Sequence, residues 1–521
     1  MTSQASFNLV DQPWIPCIDE HGLIQELDLR STFARAHRLK AIACDTPPLT
    51  AALHRLLLAI LHRVFGPGDE DIWASLWNAQ QFDTETVNAY LNRCWPHFDL
   101  FDAERPFYQA PDKRMKPKSI INLSHEFASG NNPTLFDHHL EDGDAVLEPA
   151  QAARVLIAAQ AFGLAGLSGI GQKFTDGASA GGITFLVEGS TLKETLLLNT
   201  LKYPTDNDHF PIWTELDAPA WEMADPFVPN RTQPLGYLDY LTWQNRRIHL
   251  IPETSAGLTF VKRMTMGPAL RFDPLPLDPM KNYRMDKKLG PIATSFSEER
   301  TLWRDSASLL AFESNLQGEA RTPATLRWLR HLVREVGVPH KHMLYRTLAI
   351  GLSKKQAKVF FFREERLPLP LEYLTDVELV AALDTALLST GTIAFDLIQS
   401  ARLMGMYMQL SDVDQRAWQK QWQSLNVNAK NTITDWITHT GIEQNYWSSL
   451  EIPFQALVID LVKDIDRALS AWHHAMRRSA YDAFEQAAQF AGEDGRSLKA
   501  VVRSRNYFTY RLNEVLPPTF A

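Results

Sequence analysis

Apolar residues change their spacing several times along the chain, and each change marks a different kind of element. Near the start, short apolar runs alternate with turn signals: Phe7-Asn8-Leu9-Val10, Trp14-Ile15-Pro16-Cys17-Ile18, a His21-Gly22 turn, then Leu23-Ile24. This alternation predicts a small strand pair. Behind Pro47 and Pro48 the spacing becomes helical, with Leu49, Leu53, Leu56, Leu57, Ile60, Leu61 and Val64 on one face and a stop at Gly66-Pro67-Gly68. His54 and His62 ride on this helix beside Arg55 and Arg63. They read as boundary residues of a packed helix, because no third ligand type is spaced for a metal.

Over residues 105–149 the pattern is irregular. It holds a basic stretch, Lys113-Arg114-Met115-Lys116-Pro117-Lys118, and then Ser129-Gly130-Asn131-Asn132-Pro133-Thr134-Leu135-Phe136-Asp137-His138-His139. Long polar loops inside compact domains are functional or disordered. An apolar helix over 150–162 follows and runs into a glycine-rich segment, 163–173, with Gly163, Gly166, Gly169 and Gly171. Beyond it lie a strand over 183–187, a helix around 192–201, and a stretch over 217–300 rich in Pro and aromatics that mixes strands with loops.

Thr322-Pro323 opens a helix with Leu326, Leu329, Leu332, Val333 and Val336 inward and Gly337 as its stop. Two β-rich runs, 344–352 and 357–363, flank the turn Ser353-Lys354-Lys355-Gln356 and predict a β-hairpin. The texture changes again at Leu367-Pro368-Leu369-Pro370. Thr375 with Glu378 forms a capping box, and Gly391 divides that helix from one starting near Ile393. A long helix carries Leu457, Val458, Leu461, Ile465, Leu469, Trp472 and Met476, and a last one runs over about 497–515. The expected fold class is α+β: a large mixed α/β N-terminal domain, residues 1–370, followed by a C-terminal four-helix bundle, residues 371–521.

Composition narrows the function. The 521 residues include 52 basic and 61 acidic side chains, a formal net charge of −9, which excludes a protein that coats nucleic acid by bulk positive charge. Local basic patches remain open. Cys17, Cys44 and Cys94 form no CxxC knuckle and no complete disulfide framework, so a reducing cytoplasm is expected. The opening residues lack a signal-peptide pattern, and the most apolar stretch, 155–171, is broken by Gln160 and Ser168, so no membrane span is expected.

Residues 166–171 invite comparison with a phosphate-cradling P-loop. Gln172 separates the last glycine from Lys173, no Ser or Thr follows directly, and the run leaves a helix rather than a strand. A backbone loop lying against a nucleic-acid groove and a simple packing turn both fit those glycines. Asp137-His138-His139 resembles the signature of metal-dependent phosphoesterases, and such a nuclease is the rival reading. It follows no buried strand, and the neighbouring acids Glu141, Asp142 and Asp144 lie in a polar turn. His473-His474 read as interface or solvent residues. No GxSxG elbow or HExxH helix occurs, and no cofactor is expected. The basic clusters are Lys113 to Lys118, Arg246-Arg247, Lys262-Arg263, Lys281 to Lys288, Lys354-Lys355, and Arg496, Lys499 and Arg503 on the last helix. Together on an acidic chain they point to nucleic-acid contact.

Ordered segments then resemble one family, the CasA-type large subunit of Cascade, the RNA-guided surveillance complex of type I-E CRISPR immunity. They begin at Phe7 (FNLVDQPWIP), Asp99 (DLFDAERPFY), Ser129 (SGNNPTLFDHH), Lys173 (KFTD), Leu196 (LLLN), Gly236 (GYLDYLTWQ) and Glu365 (ERLPLP). The resemblance spans the chain. It implies a non-catalytic reader that holds the guide-RNA handle, finds a short protospacer-adjacent motif in double-stranded DNA from the minor groove, starts strand separation and recruits a helicase-nuclease. Implied partners are the CRISPR RNA, target DNA, the other Cascade subunits and that effector. Asn131, Asn132 and Phe136 would meet the handle, where an aromatic can stack on unpaired bases. Ser168, Gly169, Ile170, Gly171 and Lys173 would lie at the motif, with Lys355 beside a hairpin-tip wedge, Gln356. The family's lysine finger falls on either Lys262 or Arg263. Arg496, Lys499 and Arg503 would touch a displaced strand or a neighbouring subunit. Where relatives carry a nearly continuous glycine run, this chain interposes Ser168 and Ile170.

Overall fold

A computed structural model describes residues 5–123, 145–298, 300–310, 320–355, 358–414 and 416–516. The chain divides into two compact units, a mixed one of Met1–Arg300 with Ser308–Thr375 and a helical one of Thr301–Ala307 with Asp376–Ala521. A mixed α/β N-terminal part followed by a helical C-terminal part is the expected fold class, and it is the one observed. The return of Thr301–Ala307 to the helical unit is not visible in the apolar pattern.

In the mixed unit, Ile15–Asp19 is the centre of a small antiparallel sheet, with Ile24–Leu27 and Leu39–Ile42 on either side. The Pro47–Phe65 helix begins behind Thr46 with two prolines, ends at Gly66, and is buried almost all round. By length and composition this helix and Val377–Gln409 are apolar enough to cross a membrane; 83% of the most apolar 18-residue window of the first is buried, and 33% of that of the second. The polar residues of the first are satisfied. His54 bonds Thr50 O at 2.8 Å, and His62 bonds Leu58 O at 2.7 Å while accepting from Leu201 N at 3.1 Å. Burial lowers the His62 pKa to about 4 and keeps the ring neutral. Arg55 pairs with buried Asp278 at 2.9 Å.

Two antiparallel sheets position the candidate site. In one, Leu258–Pro268 lies between Arg246–Ser255 and the short Lys118–Ser119. In the other, Leu344–Lys355 lies between Ile183–Glu188 and Lys358–Pro370. The hairpin is longer than the apolar pattern indicates. Ser353 and Lys354 continue the strand, Lys355 pairs with Lys358, and an extra residue, Phe360, sits opposite the Ser353/Lys354 step. At its far end the ladder runs through Pro368 and Pro370, which an outer strand tolerates because its free side needs no N–H donor.

The helical unit is divided more finely than its periodicity indicates. Val377–Gln409, Ile465–Ala488 and Gly495–Val515 are its long helices, and Val427–Thr440 crosses the first so closely that a Cβ at Gly405 would lie 2.7 Å from Ile433. Asp376 rather than Thr375 caps the first helix, accepting from Glu378 N at 2.9 Å. Gly391 breaks nothing: it faces open space within one continuous helix. The apolar run over 457–476 is two helices, Glu451–Leu461 and Ile465–Ala488, the second capped by Asp464. Buried Leu461 and Ala468 are seven residues apart, so the helical spacing of apolar positions in the sequence continues across the break although the chain itself is extended at Asp464. Trp303, from Thr301–Ala307, stacks on Phe454 and meets Trp447 and Trp472 edge-on.

Candidate nucleic-acid interface

The glycine-rich stretch owes its shape to residues outside it. The Pro149–Phe162 helix starts from a capping box of Glu148 and Gln151 and ends at Gly163, where a Cβ would lie 2.8 Å from the Arg246 guanidinium. Arg246 is buried. It donates to Leu164 O at 2.6 Å and Thr175 O at 2.8 Å and lies over the Phe174 ring. Burial lowers its pKa to about 10, so it stays charged near neutrality. Gly166 and Phe174 exchange backbone hydrogen bonds of 3.2 and 2.9 Å, which close the loop at its base.

Inside that closure, Ser168 is buried: its Oγ accepts from Ile170 N at 3.2 Å and donates to Gln172 O. It organises the loop from within and offers no side-chain atom to a groove. Gly169 has φ +85°, a left-handed conformation that a side chain disfavours. Gly169, Gly171 and Lys173 are exposed, Ile170 half-buried, and Gln172 ties the loop to Ala269 O at 3.3 Å.

Asp176, at the end of the loop, carries two contacts at once. Oδ1 accepts from Ala165 N at 2.8 Å, and Oδ2 pairs with Lys354 Nζ at 2.6 Å. One carboxylate therefore touches both the base of the glycine loop and the strand that leads to the hairpin tip. Beneath it, buried Lys281 donates to Ala178 O at 2.7 Å and to Gly181 O at 2.5 Å, and burial lowers its pKa to about 8. Arg246 and Lys281, expected among surface cations, are thus internal clamps. Arg247 lies over the Phe227 ring.

A second cationic area forms on the strand Leu258–Pro268. Ile251 pairs with Arg263 and Pro252 with Val261, so Lys262 is the extra residue of a β-bulge. Val261 and Met264 are both buried, leaving Lys262 and Arg263 together between them instead of on opposite faces. Arg263 approaches Glu253 at 3.6 Å, and Lys262 lies over the Phe260 ring. Lys118 pairs with Met264 on the neighbouring strand, which adds the end of the basic stretch to this patch, while Arg114 is held by Asp112 at 2.7 Å. Leu147 exchanges bonds of 3.0 and 2.9 Å with Val261. The handle candidates Asn131, Asn132 and Phe136, the rival's Asp137, His138 and His139, and the wedge Gln356 lie outside the described residues, as does the side chain of Lys355. Among the described residues no three His, Cys, Asp or Glu side chains gather as metal ligands would.

In the helical unit, Arg496 donates to Tyr407 O at 3.2 Å and Arg503 lies over the Tyr407 ring, both from the Gly495–Val515 helix, while Lys499 is exposed.

The description of CRISPR-associated protein Cse1 as a family matches residues 8–483. The chain belongs to the Cse1 family. This Cse1-family chain is 32% identical over 524 residues to the CRISPR-associated protein CasA/Cse1 of Thermus thermophilus, with 99% of each chain covered. Its fold is similar to that of Cse1 from Acidimicrobium ferrooxidans, at a TM-score of 0.82 and 24% identity over 98% of each chain. It is also similar to a chain in a structure described as a CRISPR RNA-guided surveillance complex, at a TM-score of 0.74 and 22% identity, covering 97% of this chain and 99% of that one.

Within the Cse1-family chain, the structure brings the glycine loop and Lys354 to one place and Lys118, Lys262 and Arg263 to another. Sequence reasoning missed Asp176. An exposed acid beside a glycine run gives no signal that its partner lies 178 residues away.

Proposed function

We propose that this chain is the large, non-catalytic subunit of a cytoplasmic RNA-guided Cascade complex. It reads a short motif in double-stranded DNA from the minor groove through the exposed backbone of Gly169 and Gly171 with Lys173. It then opens the duplex with Gln356 beside Lys355 and recruits a helicase-nuclease. Asn131, Asn132 and Phe136 hold the CRISPR RNA handle, other Cascade subunits complete the assembly, and no membrane is involved. The supporting observation is the Lys354–Asp176 ion pair, which ties the loop assigned to the motif to the hairpin assigned to strand opening. A reader and a wedge held by one carboxylate can act on adjacent base pairs, where unstacking costs a few kcal/mol and guide pairing returns it in a near-balanced exchange. Lys262, at the bulge and without the acid that Arg263 faces, is the finger in this reading.

The test is R-loop formation on plasmids with and without the motif, at fixed salt because phosphate contacts are salt-sensitive. Gln356→Ala in the assembled complex should slow opening of the motif-bearing plasmid while leaving assembly intact. An unchanged rate would remove the wedge role.

A further inference from the structure

A cleft of about 620 Å³ in the mixed unit is lined by Lys202, His209, Arg321, Arg327, Trp328 and His331, and also by Glu70, Asp206 and Asp208. The acids are mostly engaged. Asp206 Oδ1 is 2.5 Å from His209 Nδ1 and accepts from Asp208 N and His209 N at 3.1 Å, and Glu70 lies 2.8 Å from His331 Nε2. The arginines are placed differently. Both donate to one neutral acceptor, the carbonyl oxygen of Asp208, and Arg327 donates also to Thr322 O at 2.9 Å. Among the described residues neither forms an ion pair with a carboxylate. Two guanidinium groups converging on one carbonyl repel each other: the pKa of Arg327 is lowered by burial and by Arg321, and the nearby Asp208 and Asp206 carboxylates offset this only in part.

An anion with several oxygens would relieve that repulsion and accept from both planar forks. Lys202 lines the same cleft as a third cation. Its aromatic wall is Trp328, stacked on His331 at 5.3 Å between ring centroids and meeting His209 edge-on at 5.5 Å. The His331 side chain is 43% exposed, and the volume falls in the range of roughly 300–1,000 Å³ typical of small-molecule sites. We propose that this cleft binds a nucleoside phosphate, with its phosphate on Arg321 and Arg327 and its base against His331. The site uses none of the residues assigned to the DNA motif, so it stands independently of that reading.

The test titrates the full chain with adenosine 5′-monophosphate, with a short labelled single-stranded oligonucleotide and with inorganic phosphate. Saturable binding of the mononucleotide identifies a free nucleotide as the source, and binding of the oligonucleotide without the mononucleotide identifies a strand. In either case Arg327→Met or Arg321→Met should weaken it by about tenfold or more, while Arg478→Met on the helical unit leaves it unchanged. Arg321 has a single 3.4 Å bond to Asp208 O, so its variant keeps the test alive should Arg327→Met fail to fold. The proposal is overturned if neither nucleotide binds saturably, if phosphate alone binds as tightly as both, or if both arginine variants bind like the wild type.

Discussion

In the mixed unit, Arg246, Lys281 and Lys354 direct their charge at the protein itself, toward the carbonyls of residues 164, 175, 178 and 181 and the carboxylate of Asp176. On the helical unit, Arg496 and Arg503 share one neighbour, Tyr407, and Lys499 stays in solvent. Both groups read alike as basic clusters in the sequence. The difference lies in what surrounds them. A cation ringed by backbone carbonyls shapes a loop, whereas one left in solvent on a helix face, as Lys499 is, has its charge available to something that arrives.

The sharpest way to break this contrast is Arg246→Met. Leu164 O and Thr175 O would lose a buried donor, and unfolding in urea should show a loss of about 1–3 kcal/mol, with the glycine loop no longer held. Asp176→Asn comes next. The amide oxygen can still accept from Ala165 N, and a partly exposed ion pair contributes only about 0.2–1 kcal/mol, so melting should barely move. The rate of R-loop opening on motif-bearing DNA should nevertheless fall, and Lys354→Met added to it should cost little more. A double variant much slower than either single one would show that the two residues act separately. The smallest effect separates the units directly: Lys262→Met should reduce, without abolishing, the preference for the motif, whereas Lys499→Met should weaken binding to every duplex alike and lower the salt slope by about 0.9. Equal loss on all duplexes from Lys262→Met would move the finger elsewhere.

Much of the architecture was legible because long apolar faces leave little choice. Pro47–Phe65 was readable from its spacing and its Gly66 stop, and the last helix, expected over about 497–515, is Gly495–Val515. Their finer punctuation was not. Gly391 looks like a breaker, yet tertiary packing carries the helix through it, and the break near Asp464 hides because the apolar spacing continues across it. The candidate site divides in the same way. The glycine loop and the hairpin are local patterns, visible as such. The inward roles of Arg246 and Lys281 arise from contacts with residues distant in sequence, which leave no trace in their own segments, whereas Ser168 turns inward through local bonds to Ile170 and Gln172 that its type alone does not announce.

The bulge at Lys262 has a consequence for how such a surface can change over time. In a regular strand every substitution toward the outside is phased with one toward the core, and a shift of register moves both. Here Val261 and Met264 hold the interior, while two adjacent outward positions ride between them. Charge, length and hydrogen-bonding character can be exchanged at either position without asking the core to repack. The strand therefore separates the inheritance of the fold from the inheritance of whatever its outer face touches.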